Sequence, residues 1–366
     1  MLNPFKQNST IFKKLLLLLI IILISNTLLA IQEIELPEKP DLEEFNLEKI
    51  TSANLADKVI DFSNWIVADN KIYFCSMLQK ELAIIDFDGN LLKILSSQGS
   101  GPGEFQMPQS VLEFPDQKRI SVFDNMQRKY IFFTYEGEYI EDEMINPNNI
   151  VIPHAKEKFG EHILNYIFKM KITEDNIVMS PTIEIEKEDE NITLASREVT
   201  IKMMRLDPSQ FSFIYACNDD YVYLSEFSRE DFSIDVFNEN GEKVKKITKP
   251  FKKIKKSKED LEKLEAKLEE YSEMSKSMGV NQKFDTSNLQ YMESIRTLLC
   301  DDENNIWIGT YDENKNFCFL IMSPQGKLLK KWVPENSDSS FNIYEDKLIE
   351  VYSDDNDEVN ITVYQL

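Results

Sequence analysis

Apolar residues along this chain fall into short runs, each introduced by a polar turn, and the unit recurs six times. The copies are 69–76 (DNKIYFCS), 117–124 (QKRISVFD), 174–180 (EDNIVMS), 218–225 (NDDYVYLS), 303–310 (ENNIWIGT) and 345–353 (EDKLIEVYS). Anchors taken at Ile72, Ile120, Ile177, Tyr221, Ile306 and Leu348 are 48, 57, 44, 85 and 42 residues apart. A second element follows within the same units: a strand, a turn and another strand, at 84–95, 132–144, 235–247 and 321–332. Gly89, Gly137, Gly241 and Gly326 stand where a hairpin turn needs positive φ. A degenerate copy at 203–214 has Asp207-Pro208 in place of the glycine turn.

Self-similarity with a period of ~40–50 residues is the mark of four-stranded propeller blades. The expected fold is all-β: a six-bladed β-propeller over 42–366, after a linker at 31–41. The last unit stops after one further strand, 360–366 (NITVYQL). A closed ring removes its sheet edge by lending the last blade a strand from the other terminus. Residues 45–52 (FNLEKITS) are expected to be that outer strand, on the blade built by 341–366.

The two long steps need separate reasons. The 85-residue step holds 257–278, where Leu261, Leu264, Leu268 and Tyr271 recur at helical spacing. Ser257 with Asp260 resembles a capping box, and Gly279 suits the stop. The spacing predicts a helix inserted between blades four and five. Ahead of it, 249–258 carries six lysines in ten residues. This is expected to be a solvated connector balancing the acidic helix, the alternative being a basic arm for a partner. The 57-residue step puts extra length in blade three, where the acidic stretch 184–191 reads as an exposed hairpin tip.

Hydrophobic residues make up 42% of the 366-residue chain, enough for a packed core rather than a disordered one. Net charge is −23, and the lysines at 6, 13 and 14 supply all the charge of residues 1–30, leaving −26 beyond them. Such a body repels nucleic acid and anionic lipid at long range. Residues 1–30 read as an export signal: a basic start, ten apolar residues at 15–24, then a polar break before Leu28-Leu29-Ala30. The run is short of the ~20 residues of a membrane span, although Leu28–Ala30 lengthens it. Cleavage is expected, with an uncleaved anchor as the alternative, so membrane contact is expected only if this segment is retained. It contains no Cys to anchor a lipid.

Cys75, Cys217, Cys300 and Cys318 sit in or at the end of apolar runs and never in CxxC spacing, so buried free thiols are expected. Cys300 with Cys318 is the best of the possible bridges. His154 and His162, eight residues apart, fit no common metal pattern. A carboxylate-held calcium stays open. Residues 353–358 (SDDNDE) lack the alternation and trailing glutamate of a calcium loop, which leaves a hairpin turn. No GxSxG elbow is present. Trp65, Trp307 and Trp332 are expected in the core.

Residues 97–105 (SQGSGPGEF) place three glycines in five positions, but no helix pattern follows as a phosphate cradle requires. They read as the connection from blade one to blade two. The GPGEF stretch, the strand ending in VFD at 124 and the glycine-turn strand at 132–139 together resemble the NHL and TolB-like six-bladed propellers. The likeness is greatest to the exported six-bladed propeller proteins of Bacteroidetes and related bacteria. It spans roughly 42–366, specific at GPGEF and a matter of pattern later on. It implies fold and export, and no single activity.

The expected function is an exported, periplasmic or extracellular, non-catalytic binding or scaffolding propeller. It would take a protein, peptide or carbohydrate ligand and no nucleic acid, with no catalytic, cofactor-binding or metal residue assigned and no cofactor. The alternative is a hydrolase or lyase using a carboxylate-bound cation in the channel. Intact-mass measurement of the exported chain is expected to place the mature N-terminus at Ile31. A mass that includes residues 1–30 would establish the anchor instead.

Overall fold

The computed structural model describes residues 31–366 apart from 60, 63, 147–149, 173–176, 189, 202–211, 278–288 and 355. The export segment, Gly279 and most of the 203–214 hairpin copy therefore lie outside the described residues. The rest forms six antiparallel sheets. Blade A is Asn64–Ala68, Lys71–Ser76, Glu81–Asp86 and Leu91–Leu95, in that order from inside to outside. Blades B (108–144), C (150–201), D (213–249), E (297–332) and F (340–365) repeat the order. The first strands of A to F touch one another in succession, and F touches A, so the ring is closed.

The two middle strands of blades A, B and E are buried on both faces, which is why they read as continuous apolar runs. In Lys71–Ser76 and Phe317–Met322 every residue after the first lysine is buried. Outer strands such as Leu91–Leu95 and Tyr139–Met144 are mostly exposed. Six apolar clusters fill the six spaces between neighbouring blades. The B–C cluster is the smallest, with four buried members.

Two devices set the spacing of the blades. One is the polar residue that ends the second strand. Asp124 has no exposed surface, and its Oδ2 accepts from the backbone N–H groups of Gln106 (2.6 Å) and Met107 (2.9 Å) while Oδ1 accepts from Gln127 N (2.9 Å). One carboxylate thus pins the incoming 97–105 connection to blade B, and Glu104 Oε2 accepts from Gly101 N at 2.7 Å to fold that connection. The other device is the glycine turn. At Gly89 (φ 79°) an added Cβ would stand 2.4 Å from Ala53 Cβ, and at Gly326 (φ 88°) 2.5 Å from Ile34 Cδ1. The glycines serve positive φ and also the close approach of the adjacent blade's outer layer.

Ring closure is more extensive than the sequence suggests. Strand β2 (Glu48–Asn54) pairs antiparallel with Val359–Gln365 and completes blade F, three residues later than the expected start at Phe45. Phe45 instead bonds to Lys331 O (3.2 Å) at the outer edge of blade E and sets its ring against Trp307. Within 31–41, read as a linker, β1 (Gln32–Glu35) adds in parallel to the outer strand of blade D, and Leu36 enters the D–E core. Residues 32–54 therefore form a strap across three consecutive blades.

Several expectations need correction. Helix α1 (Lys258–Ser277) joins blade D to blade E. Counted from blade F, whose outer strand leads into A, these are the fifth and sixth blades, and not the fourth and fifth. The offset arises because β2 belongs to the closing blade. The capping box is present, with Ser257 N donating to Asp260 Oδ2 and Asp260 N to Ser257 Oγ, both at 3.0 Å. Of the lysines of 249–258, Lys252 pairs with Glu38 and Lys253 with Glu230 on the ring, while Lys258 pairs with Glu262 of the helix. In blade C the second strand is His162–Ile172, so Ile177 begins the third. Strands of ten and eleven residues there displaced the repeat by one strand. Its outer strand is Asn191–Ser196, and Glu184 is buried, bonded by Lys169 and Asn191, rather than part of an exposed tip.

Starting the chain at residue 42 removes β1 only and is expected to lower the unfolding midpoint while leaving one cooperative transition. Starting it at residue 56 removes the whole strap and is expected to abolish that transition in urea titration followed by circular dichroism.

Candidate functional site

All six inner strands end at the same mouth of the channel, and each runs into a turn that carries an acid. Asp69, Asp116, Glu161, Asp219, Asp301 and Glu345 supply one from each blade, and Lys118 is the one base in these turns. The turns are short because Asp69, Asn70, Lys118, Asn304 and Glu345 adopt positive φ. Asp301 shows the local logic. Its Oδ1 accepts from Glu303 N and Asn305 N, and its Oδ2 from Trp307 Nε1 at 2.8 Å, so the turn is tied to the core.

Behind this rim two clusters of titratable groups converge. At blades A and B, Tyr135 Oη donates to Glu113 Oε1 (2.7 Å) and Tyr73 Oη to Tyr135 O (2.8 Å). Burial raises the Glu113 carboxyl above its ordinary value, against the bond from Tyr135. Burial, and then the bond to Glu113, raises the Tyr135 phenol. At blades C and D, Cys217 Sγ donates to Glu157 Oε2 (3.5 Å) and to Lys158 O (3.3 Å), and Tyr215 also donates to Glu157. Burial raises Glu157 and holds the Cys217 and Cys300 thiols well above their ordinary values. These thiols stay protonated and are poor nucleophiles.

The four cysteines are all free. Cys300 faces Ile306, which faces Met322, and Cys318 lies four residues back along that third strand. Two strand spacings and four residue steps separate the pair by roughly 16 Å, beyond the ~7 Å a disulfide spans. Burial pushes the Cys318 thiol up to about 11.

His154 is the extra residue of a bulge between Pro153 and Ala155, while His162 faces Phe159 at the hairpin tip. His154 packs edge-on against Tyr166 and Phe168, and desolvation of the ring lowers its imidazole from the ordinary value. Among the described residues no three His, Cys, Asp or Glu side chains are arranged to hold a metal ion. Past the strand that ends at Ser353, Asp354 Oδ1 accepts from Asn356 N and Glu358 N, and those backbone bonds lower its carboxyl. Trp307 and Trp332 are core residues, and Trp65 opens the inner strand of blade A with Nε1 donating to Ser340 Oγ at 2.9 Å. Away from the channel, a cavity of about 400 Å³ lies between blades C and D, lined by Leu194, Leu224, Phe237 and the acids Glu226, Asp231 and Asp235.

No family model matches the chain, and no curated protein sequence does. Among solved structures, a protein of Bacteroides fragilis whose export is inferred is 10% identical, covering 92% of this chain and 100% of its own at a TM-score of 0.48. A DUF4221 family member from Bacteroides vulgatus is 10% identical, covering 89% and 99% at 0.47. A calcium-binding regucalcin from Agrobacterium tumefaciens is 10% identical, covering 88% and 98% at 0.40. At these values the likenesses carry no argument, and the blade count rests on the sheet order described above.

The sequence assigned no site residue, and it missed Glu113 and Glu157. Glu113 stands one place and Glu157 two places before the end of its inner strand, the first in an apolar run and the second between two lysines. Glu350, on the second strand of blade F, is a third buried acid, accepting from Ser339 Oγ (2.5 Å) and Tyr364 Oη (2.7 Å), and burial raises it as well. A carboxyl raised in the folded state binds a proton that the unfolded chain has released. The resulting stability is complete below its ordinary value of 4.5 and is lost as pH rises through the folded value. Thermal unfolding midpoints are therefore expected to fall from pH 5 to pH 8, and Glu350→Gln is expected to flatten that slope.

Proposed function

We propose that this chain is an exported, non-catalytic binding or scaffolding propeller, akin to the NHL and TolB-like six-bladed group, that takes its ligand at the acid-rimmed mouth of the channel. One observation carries the reading. The groups converging there are bonded to one another, Tyr135 on Glu113 and Cys217 and Tyr215 on Glu157, and burial raises both carboxyls and their phenol and thiol partners above their ordinary values. A phenol donating to a carboxyl gives a ligand a hydrogen-bonding surface, and phenols and thiols raised in this way are not activated nucleophiles. The rim adds selectivity. Six blades presenting acids attract a lysine- or arginine-bearing peptide or protein segment and repel nucleic acid. A carbohydrate would use the hydrogen-bonding groups without help from the charge. Export follows from the reading of residues 1–30. The resemblance in GPGEF and VFD is supported by Asp124, which accepts from the backbone of Gln106 and Met107 immediately after GPGEF.

The test is a peptide and glycan array probed with purified protein, together with metal analysis of the same sample. Binding to basic peptides is expected, weakened at least tenfold by Asp69→Lys with Glu345→Lys. Stoichiometric calcium or zinc retained by the ring would overturn the reading in favour of metal-dependent hydrolase or lyase chemistry.

A further inference from the structure

The strap covers the outer edges of blades D, E and F, and it stops there. Its end lies against blade A: Thr51 Oγ1 donates to Asp88 Oδ1 (3.4 Å), Lys58 Nζ to Gly89 O (2.7 Å), and Ala53 fills the space beneath Gly89. The next two outer strands round the ring, Leu91–Leu95 of blade A and Tyr139–Met144 of blade B, are paired on one side only among the described residues. Each presents a row of unmade backbone donors and acceptors, which is a template for another strand.

These two edges are also where the ring is apolar outside. Eight of the twelve exposed large apolar residues among those described lie within 78–144, and six of them are on these strands. Leu92 is 51% exposed, Ile140 41% and Met144 65%. The outer strand of blade C differs, since its Ile192 and Leu194 pack against the neighbouring blade at Gly241. Acids outnumber bases at the open edges. Residues 136–144 (EGEYIEDEM) hold five acids and no base; Lys71, Lys93, Arg119 and Lys129 pair with Glu136, Glu138, Glu141 and Asp142, and Glu143 faces solvent.

We propose that the outer edges of blades A and B form a docking surface for an extended segment of a partner protein, one that alternates apolar and basic residues. The segment would add as a strand to Leu91–Leu95 or Tyr139–Met144, continuing round the ring the seam that the strap already makes on D, E and F. Its apolar side chains cover Leu92 on blade A, or Ile140 and Met144 on blade B, where a base meets Glu143. A second copy of this chain is the weaker occupant, because it would bring acid against acid. The surface is separate from the channel mouth, so the two readings stand or fall independently.

The test uses the full-length mature protein and hydrogen–deuterium exchange read by mass spectrometry. The probe is a capped eight-residue peptide alternating valine with lysine and threonine. Its counterparts carry glutamate in place of lysine, or proline at every third position. The lysine peptide is expected to slow exchange at least tenfold in 91–95 and 139–144, and the other two to leave it unchanged. Leu92→Lys with Ile140→Lys should remove the effect while the unfolding midpoint stays put. Unchanged exchange in both strands up to millimolar peptide overturns the proposal. So does protection that survives the double substitution, or light scattering showing that the chain associates with itself through these strands.

Discussion

Everything in this ring depends on one antiparallel pairing, β2 on Val359–Gln365. A propeller blade has an inner edge turned to the channel and an outer edge turned to solvent, and its faces are buried only if both neighbours are in place. Blade F has three strands of its own from the C-terminal end and takes its fourth from residues 48–54. Without that strand the apolar faces of blades F and A, including Ile349, Val351, Ile361 and Leu55, would be partly open to water. Six separate apolar clusters become one cooperative unit because the last is closed by the first part of the chain.

Within the closed ring, blades are spaced by what is absent as much as by what is present. The missing Cβ at Gly89 admits Ala53, and the missing Cβ at Gly326 admits Ile34. Where side chains do fill the gaps, polar anchors such as Asp124 bind backbone that must pass from one blade to the next without sheet partners of its own. The B–C space is less well served. It has the smallest apolar cluster, and Ser121 Oγ and Asn165 Oδ1 are buried there without a partner among the described residues. That joint holds less apolar contact than its five counterparts.

The architecture was legible because burial on both faces forces an apolar run, and six such runs at blade spacing fit few folds besides a ring of blades. The GPGEF connection, the capping box at Ser257 and the closing strand could each be read from turn chemistry or from an unmatched strand. Blade C could not be registered by spacing. Its strands are nearly twice the usual length and carry a bulge at His154, so the repeat landed on Ile177, one strand too far. The strap was only partly legible, because QEIE and the residues round Phe45 are short and charged, and they pair with backbone rather than with a sequence-specific partner. The mouth was harder still. Glu113 and Glu157 are ordinary acids in sequence, and only the convergence of inner strands gives them Tyr135 and Cys217.

The strap also sets an order in time. Residues 32–54 are synthesised first, yet their partners lie at 243–249, 328–332 and 359–365, the last of them at the other end of the chain. Such long-range pairing makes folding slow, because loop closure precedes its reward. The ring cannot close before residues 359–365 have been made. The feature that holds the finished molecule together therefore also keeps the unfinished chain open until its last strand has been delivered.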